Sequence, residues 1–146
     1  MKIELDIASS QQGKRAIASA VNPANELIGS YFLGALFQYK IFHWQTFSYS
    51  QHKAFDEIFE ELEESVDEFI EKYMGKYGRV NASKGHFSLN ADNISGTNFL
   101  EFTNLFIDFL VHKLPGVLDQ NDTDLLNVRD DILGDLNRLK YLLTLQ

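Results

Sequence analysis

Residues 43–74 read HWQTFSYSQHKAFDEIFEELEESVDEFIEKYM, and their spacing decides the fold class. Phe55, Phe59, Leu62, Val66, Phe69 and Tyr73 recur every three or four residues, the period of a helix that buries one face. The run TFSYS at 46–50 interrupts the period and offers Ser48 or Ser50 as a cap, so a turn precedes this helix. The helix is expected to continue to about Met74, with Gly75 and Gly78 as its stop signal.

Outward from that stretch the same period recurs. A preceding helix is expected from Pro23, a first-turn residue after Asn22 as cap, to about Thr46. Its inward stripe is Ile28, Phe32, Leu36, Tyr39 and His43. Residues 79–95 are rich in Asn, Ser and Gly and have no period, which reads as a long connection. A third helix is expected over about 96–113, with Phe99, Phe102, Phe106, Phe109 and Leu110 inward and Pro115 and Gly116 ending it. A fourth opens on Asp122, Thr123 and Asp124 as capping candidates and turns Leu125, Val128, Ile132, Leu136, Leu139 and Leu143 inward. Four amphipathic helices with one long link between the second and third predict an all-α four-helix bundle. Residues 1–22 form no part of it. Ile3, Leu5 and Ile7 alternate there too briefly to found a sheet, so the segment is expected to be an arm that docks on a neighbour or frays.

Composition narrows the function. A chain of 146 residues with 45% hydrophobic and 23% charged residues fits one globular domain, here 23–146. With no cysteine, any transition metal has to be held by His, Asp and Glu. The formal charge of −8 repels phosphate backbones, and the only basic residues near the N-terminus are Lys2, Lys14 and Arg15, so DNA binding is not expected. No apolar run approaches the roughly 18 residues of a membrane span and no signal-peptide pattern opens the chain, so a cytoplasmic protein with no membrane association is expected. Phosphate-binding glycine loops, nucleophile elbows and zinc-protease motifs are absent from the sequence.

What remains is a set of metal-ligand types, His43, His52, Asp56, Asp67 and Glu71. At about 100° per residue, with His52 at zero, Asp56 falls near 40°, Asp67 near 60° and Glu71 near 100°, a slowly drifting stripe. Glu60, Glu63 and Glu64 share that side, and such like charges repel unless cations compensate. The fifteen residues from His52 to Asp67 span about 22 Å of helix. One ion with ligands about 2.1 Å away cannot touch both. If both bind one metal, the carboxylates come from a second copy of the helix lying antiparallel across a two-fold axis.

His43-Trp44, then His52, then Asp67 and Glu71 four apart, with Asp56 one turn after the second histidine, is a pattern similar to that of the Dps family of iron-oxidising miniferritins. The opening of the last helix, Asp122-Thr123-Asp124-Leu125-Leu126, resembles that family too, so the likeness covers about residues 24–76 and 120–146. It implies a ferritin-like bundle with a crossover between its second and third helices. It also implies an iron site made of His43 and His52 from one subunit and Asp67 and Glu71 from its mate, with Asp56 assisting and Trp44 lining the pocket. The activity implied is ferroxidase chemistry, Fe(II) oxidised with peroxide or oxygen, and iron storage inside a homo-oligomeric shell built from two-fold dimers, a dodecamer in the family. The basic tail through which some members bind DNA is missing. The Glu-x-x-His pairs of larger ferritins are missing as well, which disfavours a di-iron centre within one subunit. The alternatives are a ferritin-like scaffold without chemistry and a helical interaction protein whose aromatic third helix contacts a partner.

Overall fold

The computed structural model of the chain describes residues 23–82, 87–95 and 98–145. The arm expected over 1–22, and Asn22 as a cap, lie outside the described residues. Four α-helices make up the regular structure: α1 (Pro23–Gln45), α2 (Tyr49–Tyr77), α3 (Phe99–Asp108) and α4 (Thr123–Leu142). A π turn, Phe109–Lys113, and a 3-10 turn, Leu114–Val117, join α3 to α4. None of the described residues forms a strand, and no helix among them is long and apolar enough to cross a membrane.

Most of each expected stripe is buried, with Phe42 rather than His43 closing the α1 stripe and Phe59, Phe99, Phe102 and Leu143 half-buried. Ile28, Phe32, Leu36, Tyr39 and Phe42 of α1 meet Phe55, Leu62, Val66, Phe69 and Tyr73 of α2 and Leu125, Val128, Ile132, Leu136 and Leu139 of α4 in one core. Phe32 is fully buried, with ring centroids of Phe69 at 5.1 Å, Phe109 at 6.0 Å and Phe106 at 6.2 Å. Phe42 gathers Phe55, Phe99 and Phe102 in the same way nearer the other end of α1.

Neighbouring helices run in opposite directions. Asn25, early in α1, reaches the end of α2 at the Tyr77 carbonyl, whereas Tyr39, late in α1, meets Thr103 near the start of α3 through a 2.8 Å hydrogen bond. Lys76 at the end of α2 pairs with Asp122 at the start of α4, and Arg138 near the end of α4 pairs with Glu57 and Glu61 early in α2. The described parts of the connection between α2 and α3 lie along α1. Asn25 Nδ2 donates to the Arg79 carbonyl at 3.0 Å; the Gln38 side chain exchanges two hydrogen bonds with the Asp92 backbone. Gln45 donates to Asn93 Oδ1 and accepts from the Ile94 N–H, so the segment is fastened from the first turn of α1 to its last.

Three boundaries differ from expectation. Gly75 does not stop α2, which continues to Tyr77 because that residue is held by Asn25 and by stacking on Tyr73 at 4.8 Å. Gly78, the second of the two expected stop residues, ends the helix, with φ of 89°, a conformation glycine adopts without a Cβ penalty. The α3 helix starts at Phe99, where Asn98 Oδ1 accepts from the N–H groups of Leu100 and Glu101. It also leaves α geometry after Asp108: the Leu114 N–H bonds the Phe109 carbonyl, and Arg129 Nη1 donates to the Leu110 carbonyl at 3.2 Å. Pro115, which lacks an N–H, follows directly and cannot continue the α ladder.

A further difference from expectation is Asp122. It occupies the N-cap position of α4 but gives that helix no side-chain cap. Its carboxylate accepts from Lys76, from the Tyr77 hydroxyl and, at 2.8 Å, from the Asp119 N–H, so it ties the end of α2 to the start of α4. The hydrogen bonds from Lys76 and then Tyr77 hold its pKa below the usual aspartate value. A carboxylate depressed in the folded state adds stability above its unfolded pKa of about 3.9 and loses it as pH falls through the lower folded value. Asp122→Asn is therefore expected to melt at a lower temperature than wild type at pH 7. The gap should close progressively below about pH 4; a gap that stays constant down to pH 2 would count against the ion pair as its source.

Candidate metal centre

The turn between α1 and α2 is built from hydroxyls and a carboxamide. Ser48 caps α2, its Oγ accepting from the Gln51 N–H at 3.4 Å and lying 3.0 Å from Ser50 Oγ. Thr46 Oγ1 donates to Gln51 Oε1 at 2.6 Å. This network brings the last turn of α1 against the first turn of α2 and places His43 beside His52.

The two imidazoles stack with centroids 4.0 Å apart and planes 22° from parallel. His43 Nδ1 lies 2.9 Å from the His52 carbonyl, and His52 Nδ1 lies 3.1 Å from the His43 carbonyl. A carbonyl only accepts, so each Nδ1 carries the hydrogen, and in the neutral ring each Nε2 keeps its lone pair. That tautomer, fixed by an Nδ1–H to a backbone carbonyl, is the arrangement through which histidines present Nε2 to a metal. Asp56 joins them from one turn further along α2, its Oδ1 3.7 Å from His43 Nε2.

The chain thus stacks His43 on His52 and sets Asp56 beside His43, without closing the three on one point. Asp67 and Glu71 are not among them: they lie exposed further along α2, with Asp67 about 22 Å of helix beyond His52. Asp67 instead shares an open groove with Glu60, Glu63 and Glu64 on α2 and Leu33 and Leu36 on α1. Trp44 does not enclose the histidines; it is 68% exposed. Among the described residues no three His, Asp or Glu side chains converge closely enough to hold a metal ion. Two imidazole nitrogens and one carboxylate are donor types that iron or another divalent ion accepts.

Lys40 was not singled out from the sequence. Its Nζ lies 3.4 Å from Asp56 Oδ1 and 4.3 Å from the centroid of the Phe59 ring. The signal available was its place three residues before His43, on the same side of α1. Along that side, Leu33, Phe37 and Trp44 form an exposed apolar row in which Lys40 is the polar break.

A family model described as a family of unknown function (DUF5856) matches residues 43–143, from the first histidine through α4. No curated protein and no solved structure matches the chain.

Proposed function

The chain belongs to DUF5856, a family of unknown function, and we propose that it is a ferritin-like iron-binding protein resembling Dps. It oxidises Fe(II) with peroxide or oxygen at a site shared between two copies and stores the ferric product within a homo-oligomer. The observation that carries this reading is the reciprocal Nδ1 anchoring of His43 and His52 beside Asp56, which leaves both Nε2 atoms available as ligands.

Further support comes from the directions of the helices. With α1 antiparallel to α2 and α3, and α4 antiparallel to α2, the segment 78–98 has to travel the length of the bundle, as a ferritin-like crossover does. The apolar row Leu33, Phe37 and Trp44 gives a second copy an adjoining surface to cover. A copy laid antiparallel across that face would bring its Asp67 and Glu71 toward His43 and His52. In the reaction each peroxide takes one electron from each of two ferrous ions and its O–O bond breaks. The ferric ions then hydrolyse with release of protons.

Ferrous iron added anaerobically to the purified full chain, followed by peroxide, is expected to give a rapid ferric absorbance well above that of iron in buffer. Sedimentation should show the iron travelling with a homo-oligomer of dimers. A stable oligomer that neither binds nor oxidises iron would replace this reading with the non-catalytic scaffold.

A further inference from the structure

The proposed half-site already holds a cation, supplied by the chain itself. Lys40 Nζ sits 3.4 Å from Asp56 Oδ1, with Phe59 beneath it, and the same oxygen faces His43 Nε2 at 3.7 Å. That second separation suits one metal ion bound to both atoms, since two ligands each about 2.1 Å from an ion lie no more than about 4.2 Å apart. An ion placed there would stand close to the ammonium, and two positive charges at such a separation repel. We infer that Lys40 is the resident counter-cation of this half-site: it neutralises Asp56 while no metal is present, and a divalent ion has to displace it.

This rests on the proposal that His43, His52 and Asp56 form a metal half-site. Lys40 is suited to leave because its ammonium ends a flexible four-carbon stem and its side chain is 26% exposed, open to water. Phe59 gives the ammonium a defined resting place through its ring face. Lys40 is on this account a positioning residue that sets how tightly the site takes its ion, without itself ligating metal.

The test is a cobalt(II) titration of the full assembled chain, read from the visible absorbance of bound cobalt, which requires no turnover. Lys40→Met and Lys40→Gln are expected to tighten cobalt binding on the order of tenfold, equivalent to about 1.4 kcal/mol. Lys40→Arg, which keeps the charge, should stay near wild type. Lys53→Met removes one charge from an exposed neighbour of His52 and should change affinity less than about twofold, which separates Lys40 from net charge alone. Wild-type binding with Lys40→Met and Lys40→Gln unchanged, or no tighter than Lys53→Met, overturns the inference while sparing the metal site. Absence of cobalt binding in every protein overturns the metal site and this inference together.

Discussion

Chains carrying His52→Ala and chains carrying Asp67→Ala, each inactive alone, are expected to regain roughly a quarter of the wild-type ferrous oxidation rate when assembled as a mixture. The expectation comes from geometry. His52 and Asp67 are separated by about 22 Å of one helix, so a shared ion requires the histidine of one copy and the aspartate of another. Random pairing makes roughly half of the dimers mixed, and each mixed dimer has one site with every ligand and one lacking both. A loss on the order of 100-fold is expected for either variant alone, because even outer-shell changes around metals cost about 10–100-fold. Asp67 is exposed, so its replacement leaves the core of the subunit untouched. Equal inactivity of the mixture and its components would show that the two residues do not serve one site between copies.

The largest effect on stability is expected from Phe32→Ala. Phe32 is fully buried where α1, α2 and the α3 region meet, against Phe69, Phe106 and Phe109. Removing such a ring costs its transfer energy and leaves a cavity that three other rings cannot easily fill, about 3–5 kcal/mol. Against a typical total of about 5–15 kcal/mol, that is enough to leave a measurable unfolded population at room temperature. Leu105→Ala, at a position 67% exposed, should by comparison stay within about 0.5 kcal/mol. Urea unfolding of the two variants side by side checks this; a Phe32→Ala cost below about 1 kcal/mol would mean the core repacks freely.

The three long helices, and most of the residues they bury, were legible because period and burial report the same thing: an apolar side chain at every third or fourth residue of α1, α2 and α4 faces the core. Boundaries were less so. Gly75 reads as a stop by its own preference, but tertiary bonds to Tyr77 hold the helix past it, and an exposed glycine costs a helix only about 1 kcal/mol. The π turn at Phe109–Lys113 has no period of its own and depends on Pro115 and on Arg129 arriving from another helix. Asp122 satisfied the pattern of a cap, yet its carboxylate found a stronger partner in Lys76, which is 46 positions earlier in the sequence.

Part of the candidate site was equally readable. The spacing of His52 and Asp56, four apart on one helix, placed them on one side, and the short turn brought His43 to them. The exchange of Nδ1 hydrogen bonds between the two histidines was not readable, since it depends on the orientation of two turns rather than on residue type. Lys40 was readable only by its place three residues before His43; the resting place of its ammonium between Asp56 and Phe59 was not.

The fastening of 78–98 to α1 alters how that long segment behaves as a polymer. Closing one loop costs entropy that rises only logarithmically with its length, but a connection pinned at Arg79, Asp92 and Ile94 is divided into spans whose ends are held separately. Extra residues inserted within one span would leave the others clamped, and losing the amide of Gln38 would remove two bonds at Asp92 while Gln45 keeps Asn93 and Ile94. Three carboxamides on one helix thus determine which stretches of the connection can drift in length and which cannot.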